Sequence, residues 1–290
     1  DICVVIGHGG DAVKAALEDE NVKFAIQEKQ LGTGHAVMQA GDFIEDNADI
    51  LVLYGDTPLV TPETVGKLLD FHRTEENSIS IISAIVDDPT GYGHIIRDEN
   101  GAFLKNVEHK DADDIEKAVK EINTGIYCFR GEALKKGLSM LKNDNAQGEY
   151  YLPDTLEIVL KNGGKVNAMA ADSAEEFSGV NSRIQLAEAE AYMRKRVNRK
   201  YMDMGVTMID PERTYIEDGA VIGCDTVLLP GVVIEGNTVI GEDCIVGPDS
   251  RLTNVKPGNG VKFQYSTAID SSVDDNTTVG PYAYIRHNCS

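Results

Sequence analysis

The sequence predicts two architectures in succession, an α/β domain over residues 1–181 and a parallel β-helix over residues 205–290, with a helical linker over 182–204. Three observations carry this. Short apolar runs alternate with helical patterns through the first half, the order that builds a strand-helix sheet domain. Leu186, Ala189, Met193, Val197, Tyr201 and Met204 then recur at three- and four-residue steps, as on one long helix. Beyond it Ile216, Ile222, Leu228, Ile234, Ile240, Val246 and Leu252 fall on an unbroken six-residue grid, which a globular sheet does not produce and a stacked solenoid does.

A chain of 290 residues supports two cores, and 42% hydrophobic content fits a soluble fold. No apolar run approaches the length of a membrane helix, and Asp1 opens neither a charged leader nor a signal peptide, so the expected location is cytoplasmic with no membrane insertion. Cys3, Cys128, Cys224, Cys244 and Cys289 are odd in number and lack metal-ligand spacing; reduced, mostly buried thiols are expected. The net charge of −21 disfavours nucleic acid and anionic membrane as partners. A phosphorylated metabolite remains compatible where a cation or a cluster of backbone N–H groups offsets the charge.

In the first half, residues 1–6 form an apolar run that turns at Gly7-His8-Gly9-Gly10 into a helix over 11–17. The glycine turn lacks the spacing of a phosphate loop and reads as a strand-to-helix turn. Residues 22–26 give a second strand. It runs into Gln27-Glu28-Lys29-Gln30-Leu31-Gly32-Thr33-Gly34-His35-Ala36 and a helix over 36–40. Backbone at Gly32 and Gly34 allows close approach of a flat ligand, and the amide of Gln27 offers one donor edge and one acceptor edge. The strand over 51–54 ends on Gly55-Asp56-Thr57-Pro58, a helix follows over 61–71, and a further strand over 78–86. This order predicts a largely parallel sheet with helices on both faces. Ligands gather at the carboxyl ends of strands in such sheets, which makes Asp56 a candidate metal ligand; a turn cap is the alternative.

Thr90-Gly91-Tyr92-Gly93 then enters a short strand that pairs with 103–107 across Asp98-Glu99-Asn100-Gly101, where Asn-Gly marks a hairpin. A helix over 113–120 precedes a strand that opens at Glu121-Ile122-Asn123-Thr124-Gly125. Glu108 and Asn123, polar at strand ends, suit the hydroxyls of a sugar as well as they suit hairpin chemistry. Ser182 caps the long helix over 183–204 and Gly205 ends it; at 1.5 Å per residue it spans roughly 30 Å and reads as an arm. Its basic cluster, Arg194-Lys195-Arg196 with Arg199 and Lys200, reads as a solvated face. In the solenoid, Val221, Val227, Val233, Val239 and Ile245 form a second grid one place before the first. Residues 256–267 break the pattern, which resumes at Val273, Val279 and Ile285 out of phase, so an irregular loop is expected there; the chain stops at Ser290 in mid-repeat.

Taken together, Gln27 with Gln30-Leu31-Gly32-Thr33-Gly34-His35-Ala36, Tyr54-Gly55-Asp56, Thr90-Gly91-Tyr92-Gly93, Val107-Glu108-His109-Lys110-Asp111, Ile122-Asn123-Thr124-Gly125, Ala146-Gln147-Gly148-Glu149-Tyr150-Tyr151 and Gly179-Val180-Asn181 resemble the sugar-1-phosphate nucleotidyltransferases. More narrowly, they resemble the bacterial bifunctional N-acetylglucosamine-1-phosphate uridylyltransferases and glucosamine-1-phosphate acetyltransferases. The resemblance implies a Rossmann-like nucleotidyltransferase domain over 1–181 and a left-handed, incomplete β-helix over 205–290 representing the first part of the acetyltransferase domain.

The resemblance further implies that Gln27, Gly32 and Thr33 hold the uracil and that Tyr54 and Gly55 line the site beside the sugar phosphate. Gly93, Glu108 and Asn123 would hold N-acetylglucosamine, and Asp56 with Asn181 would bind Mg²⁺. The implied reaction joins UTP to N-acetylglucosamine-1-phosphate, giving UDP-N-acetylglucosamine, a cell-wall precursor, and pyrophosphate. Acetyl-CoA would be the co-substrate of the second activity, Arg286 a substrate contact there, and a homotrimer the assembly. His287, where the family has Pro, is not the acetyltransferase base. The family's first strand and its glycine-rich loop are expected upstream of Asp1, so the 290 residues alone are expected to have little or no uridylyltransferase activity. Two alternatives stand beside this: an adenylyl- or thymidylyltransferase of the same superfamily, and a non-catalytic subunit that binds a nucleotide sugar.

Overall fold

A computed structural model describes residues 1–145 and 147–289. Ala146, the first residue of the sixth motif above, lies outside the described residues. The chain divides into two compact units, Asp1–Gly179 and Val180–Ser290.

The first unit holds two sheets. Strands β1 (Ile2–Ile6) and β2 (Val22–Ile26) pair in parallel around α1 (Gly10–Ala16). Helix α2 (Thr33–Gln39) begins three residues earlier than expected and takes up Thr33, Gly34 and His35. The second sheet contains β3 (Asp49–Val52), β4 (Ile79–Ile85), β5 (His94–Arg97), β6 (Phe103–Val107), β7 (Glu121–Arg130) and β8 (Val166–Ala170). Its order is β6-β5-β7-β4-β8, with β3 also on β7. The expected largely parallel sheet is corrected here: β7 runs antiparallel to β3, β4 and β5, and within this sheet only β4 and β8 pair in parallel. The cause is the hairpin β5-β6, which follows β4 and sends the chain back through the middle of the sheet as β7.

Alternation along the strands supplies two cores. Ile79, Ile81, Tyr127 and Phe129 face α5 (Gly131–Met140) and α6 (Asp154–Lys161) through Leu134, Leu138 and Leu156. Ile82, Ile122, Ile126 and Cys128 face the other way, onto Leu68 of α3 (Pro62–Thr74) and Phe177. Helices thus cover both faces, as expected. Thr61 caps α3 by accepting from the Thr64 amide, and the buried carboxylate of Glu176 accepts from the Thr61 amide at 2.5 Å. The helix expected over 113–120 is one turn, α4 (Asp114–Lys117), closed by a capping box between Asp113 and Glu116.

The second unit opens with α7 (Arg183–Asp203), capped by Ser182 and ended by Gly205 at φ +94°. Its expected apolar stripe holds only in part. Ala189 and Tyr201 are buried, but Leu186 and Met204 are 55% exposed, and the buried positions near the C-terminus include Asn198. Asn198 donates to the carbonyls of Pro211 and Thr214, and the Tyr201 hydroxyl donates to that of Ala220, so polar bonds fasten this end of α7 to the first coil.

The solenoid is a left-handed parallel β-helix of two- and three-residue strands, each paired in parallel with a strand of a neighbouring coil. Ile222, Leu228, Ile234, Ile240, Val246 and Leu252 point inward as expected, with Ile216 packed against them. The second grid does not: Val221 and Val239 are exposed. The other inward position lies two places before the first grid, at Thr214, Ala220, Thr226, Val232, Thr238, Cys244 and Ser250, all buried. No irregular loop intervenes over 256–267. Pro257, Phe263 and Ala268 take the inward places, and Ile245↔Lys262 and Lys262↔Thr278 keep register. The phase slips because the steps Leu252 to Pro257, Phe263 to Ala268 and Ala268 to Val273 span five residues, turned by Asn254, Tyr265 and Asp270 at positive φ.

Of the cysteines, Cys128 and Cys244 are buried and Cys224 and Cys289 are exposed, so fewer are buried than expected; all five are free thiols.

Candidate active site

The site of the first unit forms where β7 loses its neighbours on one edge. β3 ends at Val52↔Tyr127 and β5 begins at His94↔Ile122, which leaves residues 123–126 of β7 without a strand beside them. On the other edge β7 bulges, since Ile82 alone stands opposite Thr124, Gly125 and Ile126. The Thr124 hydroxyl donates to the Ile82 carbonyl and anchors the bulge, and Gly125 takes φ +82°. A Cβ at Gly125 would strike the Tyr54 ring, so the glycine is what lets Tyr54 lie across the gap.

Tyr54 therefore sits in the loop after β3 rather than on the strand expected over 51–54. Thr57 folds that loop by donating its hydroxyl to the Tyr54 carbonyl at 2.9 Å. Burial pushes the Tyr54 hydroxyl up to about 12, against a smaller lowering by hydrogen bonding from the Thr33 side chain, while the charges of Glu108 and Asp56 raise it further. These interactions place Tyr54 among residues from four segments of the chain. It stays protonated at neutral pH and keeps a proton to donate.

Beside Thr33 lie the residues of the first motif. Gln27 Nε2 donates to the Gly32 carbonyl at 3.1 Å and lies 3.0 Å from His35 Nδ1. Gly32 has φ +98°, and a Cβ there would stand 2.6 Å from the Tyr150 carbonyl oxygen. The segments are laced together: the Gly34 amide donates to the Tyr150 carbonyl, the Tyr150 amide to that of Leu31, and the Leu152 amide to Thr33 Oγ1.

On the Glu108 side lies a polar chain. The Asn123 amide donates to the Gly93 carbonyl at 2.8 Å, and Asn123 Oδ1 accepts from the Gly125 amide at 2.9 Å. Asn123 Nδ2 donates to the Tyr127 hydroxyl and to Asn106 Oδ1, and Asn106 Nδ2 donates to Glu108 Oε1. Gln27, Gly32, Thr33, Tyr54, Gly93, Glu108 and Asn123 are thus linked into one neighbourhood of the first unit around Tyr54. Gly55 and Asp56 follow Tyr54 on its exposed loop. Asn106, Gly125 and Tyr127 belong to the same network and were not singled out from the sequence, although Gly125 stands in one of its motifs.

Asp56 is exposed, and among the described residues its carboxylate has no hydrogen-bond or ion-pair partner. No group of three His, Cys, Asp or Glu side chains suited to a metal occurs among the described residues. A free carboxylate without such a cluster fits Mg²⁺, which takes one or two protein oxygens and completes its shell with water and phosphate. Asn181 belongs to the second unit, where its backbone amide donates to Gln185 Oε1. Arg286 is exposed in the last described coil, beside His287, whose Nδ1 lies 2.6 Å from Asp270 Oδ2.

A family model described as nucleotidyl transferase matches residues 2–206. The chain belongs to the nucleotidyl transferase family. A second model, bacterial transferase hexapeptide (six repeats), matches residues 219–254. Among curated proteins, the chain is 52% identical over 286 residues to the bifunctional protein GlmU of Caldanaerobacter subterraneus subsp. tengcongensis, covering 99% of this chain and 62% of that protein. It is 49% identical to the GlmU proteins of Clostridioides difficile and Brevibacillus brevis over the same shares. The chain therefore spans about 62% of the length of these relatives.

Within the nucleotidyl transferase unit, no helix of the described residues is long and apolar enough to cross a membrane, and the same holds for α7. A groove of about 570 Å³ in the second unit, lined by Met193, Arg194, Val197, Tyr215 and Ile234, holds none of the site residues. Its one cation, Arg194, is engaged by Glu190 at 2.8 Å and by the Tyr215 ring.

Proposed function

We propose that the protein carrying this chain transfers a uridylyl group from UTP to N-acetylglucosamine-1-phosphate, giving UDP-N-acetylglucosamine and pyrophosphate. The observation that carries the proposal is the position of Tyr54, which is hydrogen-bonded to Thr33 of the first motif and lies beside Gly125 and within the field of Glu108. A single ligand with a flat base at one end and a sugar at the other suits these surroundings.

In this account Gln27 reads the base edge and the backbone at Gly32 and Thr33 closes on its face. Tyr54 donates toward the phosphate that joins nucleoside and sugar, with Gly55 beside it. Gly93, Glu108 and Asn123 hold the sugar. The sugar phosphate is already an anion at neutral pH, so its oxygen attacks the α-phosphorus in line without a general base. What the residues supply is alignment, and the family site needs no nucleophile-base pair. Asp56 and Asn181 are the proposed Mg²⁺ ligands. When bound, the ion neutralises charge that develops on the phosphates. The hexapeptide unit is proposed to belong to a second activity, acetylation of glucosamine-1-phosphate by acetyl-CoA, in a homotrimer, with Arg286 a substrate contact. A cytoplasmic location follows from these soluble substrates.

Affinities for UDP-N-acetylglucosamine, UDP-glucose and ADP-glucose, measured by calorimetry, test the assignment. UDP-N-acetylglucosamine is expected to bind most tightly and ADP-glucose most weakly. Equal binding of all three would remove the base and sugar assignments together, and preference for ADP-glucose would favour an adenylyltransferase.

A further inference from the structure

We propose that Asn106 is a positioning residue which fixes the polarity of the sugar-binding wall, so that this wall presents hydrogen-bond acceptors to the ligand. The proposal rests on the sugar-nucleotide assignment above. Asn106 lies on β6, next to Ile95 of β5, with its carboxamide between Glu108 and Asn123.

The direction of every hydrogen bond in this chain is decided by its ends. At one end the Gly125 backbone N–H can only donate, so the atom of Asn123 that receives it at 2.9 Å is the carbonyl oxygen. That orientation turns Asn123 Nδ2 toward the Tyr127 hydroxyl at 2.8 Å and toward Asn106 at 3.2 Å. An N–H group needs an acceptor, so Asn106 must present its oxygen there and its NH₂ on the other side. At the other end that NH₂ meets Glu108 Oε1 at 3.2 Å, and an ionised carboxylate only accepts. An amide at position 106 is the neutral side chain of this shape that satisfies both neighbours at once.

Two consequences concern the ligand. Both N–H bonds of Asn123 are taken, so its remaining capacity is a lone pair on Oδ1. Glu108 likewise offers its second oxygen. The wall therefore selects a ligand that donates, through hydroxyls or an amide N–H, as an N-acylated sugar does. The close fit at Gly93 belongs to the same device: a Cβ there would stand 2.7 Å from Asn106 Oδ1 and 3.1 Å from Glu108 Oε1, so glycine leaves the space in which the amide and the carboxylate meet.

The test compares the full-length protein with Asn106→Leu and Asn106→Asp, measuring by calorimetry the affinities for UDP-N-acetylglucosamine and for UDP at pH 5.5 and pH 8. UDP reports the base side of the site and the integrity of the fold. Besides the new carboxylate, Glu108 is faced by Tyr54 from the loop after β3, Tyr127 from β7, Tyr151 from the loop before α6 and Asp154 at the start of α6, with His109 next in sequence. These groups are common to all three proteins, so the pH effect is read as a difference from the unsubstituted one.

Asn106→Leu is expected to weaken the sugar nucleotide about tenfold at both pH values, as loss of two hydrogen bonds with one partner charged implies, and to leave UDP unchanged. Asn106→Asp is expected to bind nearly normally at pH 5.5, where one proton shared with Glu108 replaces the amide N–H. It should weaken about tenfold at pH 8, where two carboxylates face each other. Sugar-nucleotide affinity that stays at the unsubstituted value in both variants would overturn the proposal, as would an Asn106→Asp deficit independent of pH. Loss of UDP affinity in step with the sugar nucleotide would assign Asn106 to the fold and overturn it too. If the unsubstituted protein does not prefer UDP-N-acetylglucosamine over UDP, the sugar-nucleotide assignment falls first and this inference with it.

Discussion

Asp49 and His72 show how single side chains in this molecule carry a pH dependence apart from the site. His72 is fully buried, with Nδ1 2.9 Å from Ser80 Oγ and Nε2 3.7 Å from Asp49 Oδ1. Burial lowers its pKa, with Arg130 and Arg73 acting in the same direction and Asp49 opposing them. The unfolded chain therefore takes up the proton first as pH falls through about 6.5, and the native state loses stability below that value while keeping it fully above. Asp49 behaves separately. Burial pushes it up, but hydrogen bonding to Arg73 and the charge of Arg130 prevail and hold it below the ordinary range, so its contribution is lost only in stronger acid, below about 4. His72→Gln is expected to flatten the fall in melting temperature between pH 7.5 and pH 5.5, measured by circular dichroism; an unchanged slope would mean that His72 does not carry it. At this scale Gln27, Gly32 and Asn123, which the fold links to the surroundings of Tyr54, could be singled out because their neighbours in sequence form motifs, and their proposed roles rest on those motifs. Asn106 and Tyr127 could not be, because their roles exist only once β6 and β7 are placed in register with β5.

At the scale of elements, most boundaries in the first unit followed from periodicity, and those that moved have local causes. Tyr54 left its strand because Gly125 opens space for its ring. The sheet is mixed because Asn100-Gly101 reverses the chain before β7 is reached, a cue present in the sequence whose effect on strand direction depends on which strand pairs next. The solenoid was legible through its large inward residues. Its small inward residues, Thr226, Thr238 and Ser250 among them, were not, since buried hydroxyls do not read as core; each is held by bonds to backbone, as Thr226 Oγ1 to the Gly241 carbonyl. The stretch over 256–267 was read as a loop because Pro257 and Ala268 are poor markers of a repeat. Phe263→Ala distinguishes coil from loop. With Phe263 fully buried in the solenoid core, its truncation is expected to cost about 3–5 kcal/mol in a denaturant titration, whereas Tyr265→Ala, 43% exposed at a corner, should cost less than about 1 kcal/mol. Similar small costs for both would restore the loop.

At the scale of the whole molecule, each unit carries its own core, while the nucleotidyl transferase match over 2–206 runs through the first unit and on through α7, and the hexapeptide match over 219–254 lies within the second. A net charge of −21 makes anionic substrates unwelcome except where a cation meets them. That is why the central claim turns on Asp56, an exposed carboxylate beside a site proposed to hold phosphates. The direct measurement is Mg²⁺-dependent release of pyrophosphate from UTP and N-acetylglucosamine-1-phosphate by the full-length protein and its Asp56→Asn variant. The account predicts release by the unsubstituted protein and a loss of roughly a hundredfold or more in the variant, with little change in melting temperature. Undiminished turnover in Asp56→Asn would contradict it and return Asp56 to the role of a turn residue.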